Sequence, residues 1–181
     1  LAYHIKFEHL FVLKSHTGDE KCKLFTREIN NYNNVIHPFL SKCYGQIIFE
    51  SDPFLVLEYI EGPLIAAIEK KDFILSQSEK LQIIFQLMIA LEYIHNSNYI
   101  YRDLKPNNVI ITYDRVPIII DFDRMVENKE FEENEIFTVD FGHIYIAPEI
   151  FSSGKYSFKS DIYSLGMIVY FIILEQGFKF D

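Results

Sequence analysis

The chain is poor in glycine, seven residues in 181, and none of them precedes Gly18. The segment ahead of Lys14 therefore carries no glycine-rich loop of the kind that covers phosphates with backbone amides. Cysteine is scarcer still. Cys22 and Cys43 form neither a CxxC pair nor a disulfide framework, and they read as reduced structural thiols of an intracellular, cytoplasmic protein. Basic residues are outnumbered, 17 Lys and Arg against 26 Asp and Glu, for a formal net charge of -9. That balance argues against sequence-independent binding to nucleic acid or anionic lipid. The longest apolar run, residues 165–174, reaches about half of what a bilayer-spanning helix needs, so no membrane insertion is expected. His4, His9, His16, His37, His95 and His143 are scattered, with no Cys or carboxylate at metal-ligand spacing. The first residues match neither a signal nor a transit peptide and lack an initiator Met, which reads as a fragment or a trimmed product.

What is present is a globular composition, 49% hydrophobic and 24% charged, in a chain long enough for one domain's core. Residues 2–14 are rich in β-branched and aromatic side chains and read as strand. Residues 20–35 read as a helix, with Phe25, Ile29 and Tyr32 at helical spacing, stopped at His37-Pro38. Strand-like runs follow at 46–50 and 54–60, joined by a turn at Ser51-Asp52-Pro53. Residues 76–96 predict the strongest helix: Ser76 and Glu79 make a capping box, and Leu81, Ile84, Phe85, Met88, Leu91 and Ile94 form its apolar face. Short strands are expected at 109–112 and 117–120. Residues 124–137 are acidic and read as irregular and exposed. Residues 160–175 read as a helix apolar nearly all round, hence buried. Strands with one helix, then mostly helices, is an α+β pattern in two parts.

The chemistry concentrates in residues 101–108, Tyr-Arg-Asp-Leu-Lys-Pro-Asn-Asn, and in Asp121-Phe122-Asp123, 18 residues beyond Asp103. A carboxylate such as Asp103 can orient a substrate hydroxyl and accept its proton. Lys105 can neutralise charge building on a transferred phosphoryl group. Asn108 and Asp121 supply the oxygen ligands that magnesium prefers. The bland alternative is a surface turn with an Arg102–Asp103 salt bridge. Upstream, Lys14 on a strand and Glu28 on a helix can form a phosphate clamp, although Lys14 could equally be a solvated edge-strand residue.

These strings resemble the catalytic loop and metal motif of eukaryotic protein kinases, and Lys105 matches the serine/threonine type. Tyr101 replaces the commoner His. Ala147-Pro148-Glu149 and the run Asp161 to Gly166 extend the resemblance, as do Phe11-Val12-Leu13-Lys14 and Ile36 to Leu40. Asp140-Phe141-Gly142 spells the family's metal motif, but it lies 37 residues after Asp103 and just before Ala147, so Asp121 is taken as the metal ligand. The resemblance implies a bilobal kinase fold, incomplete at both ends. Residues to about 60 would form a small lobe without its glycine-rich loop, and the rest a large lobe ending after the buried helix. It also implies ATP and Mg2+ as cofactors and a protein Ser/Thr hydroxyl as acceptor. Asp103 and Lys105 would be catalytic, and Asn108 and Asp121 would hold metal. Lys14, Glu28, Val12, Leu57, Glu58, Ile60 and Ile110 would contact the nucleotide. Glu149 and Asp161 would be structural carboxylates, Asp161 bracing the catalytic-loop backbone and Glu149 pairing with an Arg of later helices that are absent from these 181 residues.

Three departures qualify this. The glycine-rich loop is missing. Asp123 replaces a glycine, which could repel ATP or bind a cation. Gly142-His143 stands where a Gly-Thr is usual. The alternative to an enzyme is therefore a pseudokinase, a binding or scaffold module without turnover. Thr138 is a candidate phosphate acceptor, and the acidic run at 127–135 a candidate partner for Arg102. Oligomeric state is not legible.

Overall fold

Two hairpins with a helix between them open the chain. The computed structural model describes residues 2–4, 9–18, 21–70, 73–128 and 144–175. Strand β1 (Ala2–His4) pairs antiparallel with β2 (His9–Lys14), so the strand character expected over residues 2–14 is divided between two paired strands. Period-two patterning cannot register a chain reversal, because both arms carry the same residue types. Helix α1 (Lys21–Asn34) follows and buries Phe25, Glu28, Asn31 and Tyr32 on one face. Strands β3 (Cys43–Phe49) and β4 (Asp52–Glu58) complete a sheet of order β1-β2-β4-β3.

The turn between β3 and β4 falls at Glu50-Ser51, one residue earlier than expected. Both have positive φ, 49° and 71°, as a tight two-residue hairpin turn requires. Pro53 is thus inside β4, opposite Ile48. It is tolerated there because β2 reaches only Leu55 to Glu58, so no partner on that side needs the missing N–H.

A linker through Gly62 leads to the helical part. A Cβ at Gly62 would collide with the carbonyl of Ile111, which explains the glycine. Helix α2 (Gln77–Asn96) begins at Ser76, whose side chain accepts the Glu79 amide while Glu79 reaches back to the Ser76 amide. Then come β5 (Tyr99–Ile100), a 3-10 turn at Pro106–Asn108, and β6 (Val109–Ile111) paired with β7 (Pro117–Ile119). Strand β8 (Val126–Glu127), helix α3 (Pro148–Ser153) and helix α4 (Phe158–Leu174) complete the described elements.

The structure corrects three expectations here. The buried face of α2 is Ile83, Leu87, Ala90, Leu91 and Ile94, while Leu81 and Phe85 are each 62% exposed and Met88 is also exposed. Residues 81–91 are apolar over most of the circumference, so spacing alone did not select the face that packs on α4. Residues 124–128 are not an exposed irregular stretch: Met125 and Val126 are buried, and β8 pairs with β5. Helix α4 buries Leu165, Ile168, Phe171 and Ile172 but leaves Ile173 and Leu174 exposed. Among the described residues no helix is long and apolar enough to cross a membrane.

Candidate active site

The loop after β5 is held from below. Tyr101 is fully buried, and its hydroxyl donates to the Ile120 carbonyl at 2.5 Å. Asp161, buried in α4, accepts the amides of Tyr101 and Arg102 at 2.8 Å each, and His95 Nε2 lies 2.9 Å from the same carboxylate. Arg102 has φ 72°, a left-handed conformation that costs a non-glycine residue energy and persists only under such constraint. Its guanidinium stacks on the Tyr156 ring at 4.7 Å.

This support aims the next side chains. Lys105 Nζ contacts both oxygens of Asp103, at 3.0 and 2.8 Å. Asn108 Nδ2 donates to the Asp103 carbonyl at 2.9 Å and to Asp103 Oδ2 at 2.8 Å. With the amide nitrogen committed, the oxygen of Asn108 is the group left to bind something else. Asp103, Lys105 and Asn108 thus form one contact cluster.

A second cluster centres on Lys14 at the end of β2. Its ammonium lies 2.8 Å from Glu28, 2.6 Å from Asp121 and 3.9 Å from Asp123. Burial acts to lower the pKa of Lys14, but Glu28 and Asp121 outweigh it and hold the ammonium above its ordinary value. Burial likewise opposes ionisation of Asp121, and Lys14 overrides it, so that carboxyl sits below the usual range. Asp123 goes the other way: burial and the charge of Asp121 push its carboxyl up. Asp121 itself has φ 68°, whereas Asp123, standing where a glycine was expected, needs no positive φ.

Helix α1 clamps this second cluster. Arg27 Nε donates to the Asp123 carbonyl at 3.0 Å, and Asn31 Nδ2 donates to the carbonyls of Phe122 and Met125 at 2.8 and 2.7 Å. Phe122 is buried and stacks on Tyr32 of α1, with ring centroids 4.4 Å apart. His16 Nε2 meets the second oxygen of Glu28 at 2.7 Å. Arg27, Asn31 and His16 are not among the site residues expected from the sequence. Signals existed: Asn31 is one helical turn from Glu28, and His16 is two residues from Lys14.

The remaining expected nucleotide contacts are more spread. Val12 and Leu57 are direct register partners between β2 and β4. Ile110 is half-buried on β6. Glu58 and Ile60 line a cavity of about 350 Å³ with Pro38, Lys42, Tyr113 and Asp114, and neither Val12, Leu57 nor Ile110 lines it. The carboxylate of Glu58 is engaged by the Lys42 amide at 3.3 Å. Glu149 is exposed, and Pro148 beside it begins α3, a first-turn position that suits proline. Thr138, Asp140, Phe141, Gly142, His143 and the run from 129 to 135 lie outside the described residues.

The donor set suits magnesium. Asn108 and Asp121 offer oxygens only, and no group of three or more His, Cys, Asp or Glu side chains able to hold a metal is found among the described residues. A hard cation shared with substrate phosphates asks for one or two protein oxygens rather than a full cage.

Comparison with known proteins gives a consistent picture. The family model described as protein kinase domain matches residues 4–179. An Aurora kinase of Debaryomyces hansenii is 32% identical over 160 residues, covering 87% of this chain and 38% of that protein. An Aurora kinase of Saccharomyces cerevisiae is 30% identical over 148 residues, 82% of this chain and 40% of that protein. Calcium-dependent protein kinase 6 of Plasmodium berghei is 32% identical over 164 residues, 87% of this chain and 11% of that protein. The chain therefore spans well under half the length of these relatives.

Proposed function

Because the chain belongs to the protein kinase domain family, we propose that it serves an ATP- and magnesium-dependent protein serine/threonine kinase acting inside the cell. One observation carries the reading. Lys14 bridges Glu28 and Asp121 at 2.8 and 2.6 Å, tying a strand, a helix and the segment after β7 into one charged site.

In this reading Asp103 orients the acceptor hydroxyl and takes its proton. Lys105, already on Asp103, shifts toward the transferred phosphoryl group as charge accumulates there. Magnesium supplies charge neutralisation on the phosphates, and the residues that would hold it are Asn108 and Asp121. Lys14, fixed by Glu28, holds the other phosphates. Val12, Leu57 and Ile110 enclose the base, with the backbone of Glu58 and Ile60 at its edge. The serine/threonine preference is supported by Lys105 and by the Aurora likeness. Free Cys22 and Cys43 suit a reducing compartment.

One feature favours a second reading, a binding or scaffold module without turnover. Asp123 adds a carboxylate 3.9 Å from Lys14, where it competes for the cation that phosphates need. Incubating the full-length protein with labelled ATP, magnesium and mixed protein substrates, then analysing the phosphoamino acids, separates the two. Phosphoserine or phosphothreonine supports the kinase. Only phosphotyrosine refutes the serine/threonine assignment. A Mg-ATP thermal shift without any transfer supports the scaffold.

A further inference from the structure

Glu28 is fully buried, and a buried carboxylate needs every lone pair answered. Lys14 takes only one oxygen, Oε1. The other, Oε2, lies 2.7 Å from Nε2 of His16, whose side chain is 7% exposed. An ionised carboxylate can only accept, so Nε2 carries the proton of that contact. His16 lies two residues beyond Lys14, the last residue of β2, both side chains reach Glu28, and Ser15 between them is exposed.

We propose that His16 is a positioning residue, a second anchor that holds Glu28, and with it α1, against the end of β2. Lys14 alone has divided loyalties, since its ammonium is drawn at once to Asp121 at 2.6 Å. A carboxylate held by one such lysine can swing as the lysine moves toward phosphate. Held by His16 as well, Glu28 stays in place while Lys14 exchanges Asp121 for a ligand. The arm of α1 that carries Arg27 and Asn31 to the backbone of Asp123, Phe122 and Met125 stays with it. The catalytic consequence rests on the phosphoryl-transfer reading, whereas the anchoring itself does not.

The test uses full-length protein carrying His16→Leu, which removes the donor, and His16→Gln, whose amide keeps one at similar reach. Both are also made in a Glu28→Gln background. Hydrogen exchange of the amides of residues 21–34 is measured first. His16→Leu is expected to speed exchange about tenfold, as loss of a hydrogen bond to a charged group would, with His16→Gln restoring protection. In steady-state kinetics His16→Leu raises KM for ATP and leaves KM for the protein substrate unchanged. In the Glu28→Gln background the leucine change has little further effect. Should His16→Leu fail to fold, His16→Asn, polar but too short to reach Glu28, takes its place. Exchange and KM at wild-type values in the leucine or asparagine variant would overturn the proposal, as would an equally large effect in the absence of Glu28. A wild-type protein with protected α1 amides but no transfer would overturn the kinase reading alone, leaving His16 to be decided by the exchange comparison.

Discussion

Asp161 accepts the backbone amide of Arg102 at 2.8 Å, and Arg102 is one of the residues held in a left-handed conformation. A carboxylate buried in a core helix thus fixes the strained residue next to Asp103. Asp161→Asn retains the shape but sets an NH2 donor against the amide of either Tyr101 or Arg102, since each amide bonds a different oxygen. The expected loss is about 2–4 kcal/mol of stability, from unpaired buried donors and a lost charge-assisted bond. Denaturant unfolding of the two proteins checks this, and a midpoint unchanged by the substitution would refute it.

Lys80 and Glu175 form an ion pair of unequal burial, 2.6 Å apart, with side-chain exposures of 6% and 36%. Removing the lysine leaves a carboxylate that reaches water, so Lys80→Met should change stability by less than about 1 kcal/mol. Removing the carboxylate leaves a buried ammonium with only the Ile173 carbonyl, 3.5 Å away, so Glu175→Ala should cost clearly more, about 2–4 kcal/mol. Equal effects in urea unfolding would contradict this asymmetry.

Glu79 accepts from the Ser76 hydroxyl and amide, both at 2.7 Å, and from Arg115 at 2.9 Å. The Ser76 hydroxyl, then its amide, hold this carboxyl below its ordinary pKa; burial opposes them, and Arg115 adds smaller contributions in the same downward direction. A depressed folded-state pKa stabilises above the unfolded pKa and ceases to do so as pH falls through the folded one. Glu79→Ala should therefore lower Tm at neutral pH, and the gap should close on acidification through the carboxylate range. A gap that is constant from neutral to acid pH would show the charge to be irrelevant.

The exposed residues of α2 offer a cheap check on the corrected helix face. Leu81 and Phe85 are each 62% exposed, so replacing both by Lys should leave stability within about 0.5 kcal/mol per site. A cooperative loss of several kcal/mol would restore the face expected from the sequence.

That error shows where sequence reasoning stops. The start of α2 was legible because Ser76 and Glu79 act locally, within one helical turn. Its buried face was not, because the choice among many apolar residues is made by α4, far away in the chain. The Asp103, Lys105 and Asn108 cluster was legible because its spacing is short and each residue type has a distinct chemistry. The contact of Lys14 with Asp121 spans 107 positions and was not anticipated; the resemblance to a family only set both residues at the nucleotide and metal site. His16 and Asn31 carried only their spacing from Lys14 and Glu28, a weak signal that names no partner until the fold sets a buried carboxylate and bare carbonyls beside them. Residues 2–14 showed their strand character but not its division into two paired strands, since two similar arms leave no mark on composition.

The account centres on the carboxylate of Asp103, which meets Lys105 and Asn108 within 3.0 Å. Single-turnover transfer from Mg-ATP to a protein hydroxyl, compared between the full-length wild type and Asp103→Asn, tests it most directly. Proton transfer by such a group contributes about a hundredfold or more, so the variant should bind Mg-ATP as the wild type does and transfer at least about a hundredfold more slowly. Equal transfer rates in the two proteins would contradict the account.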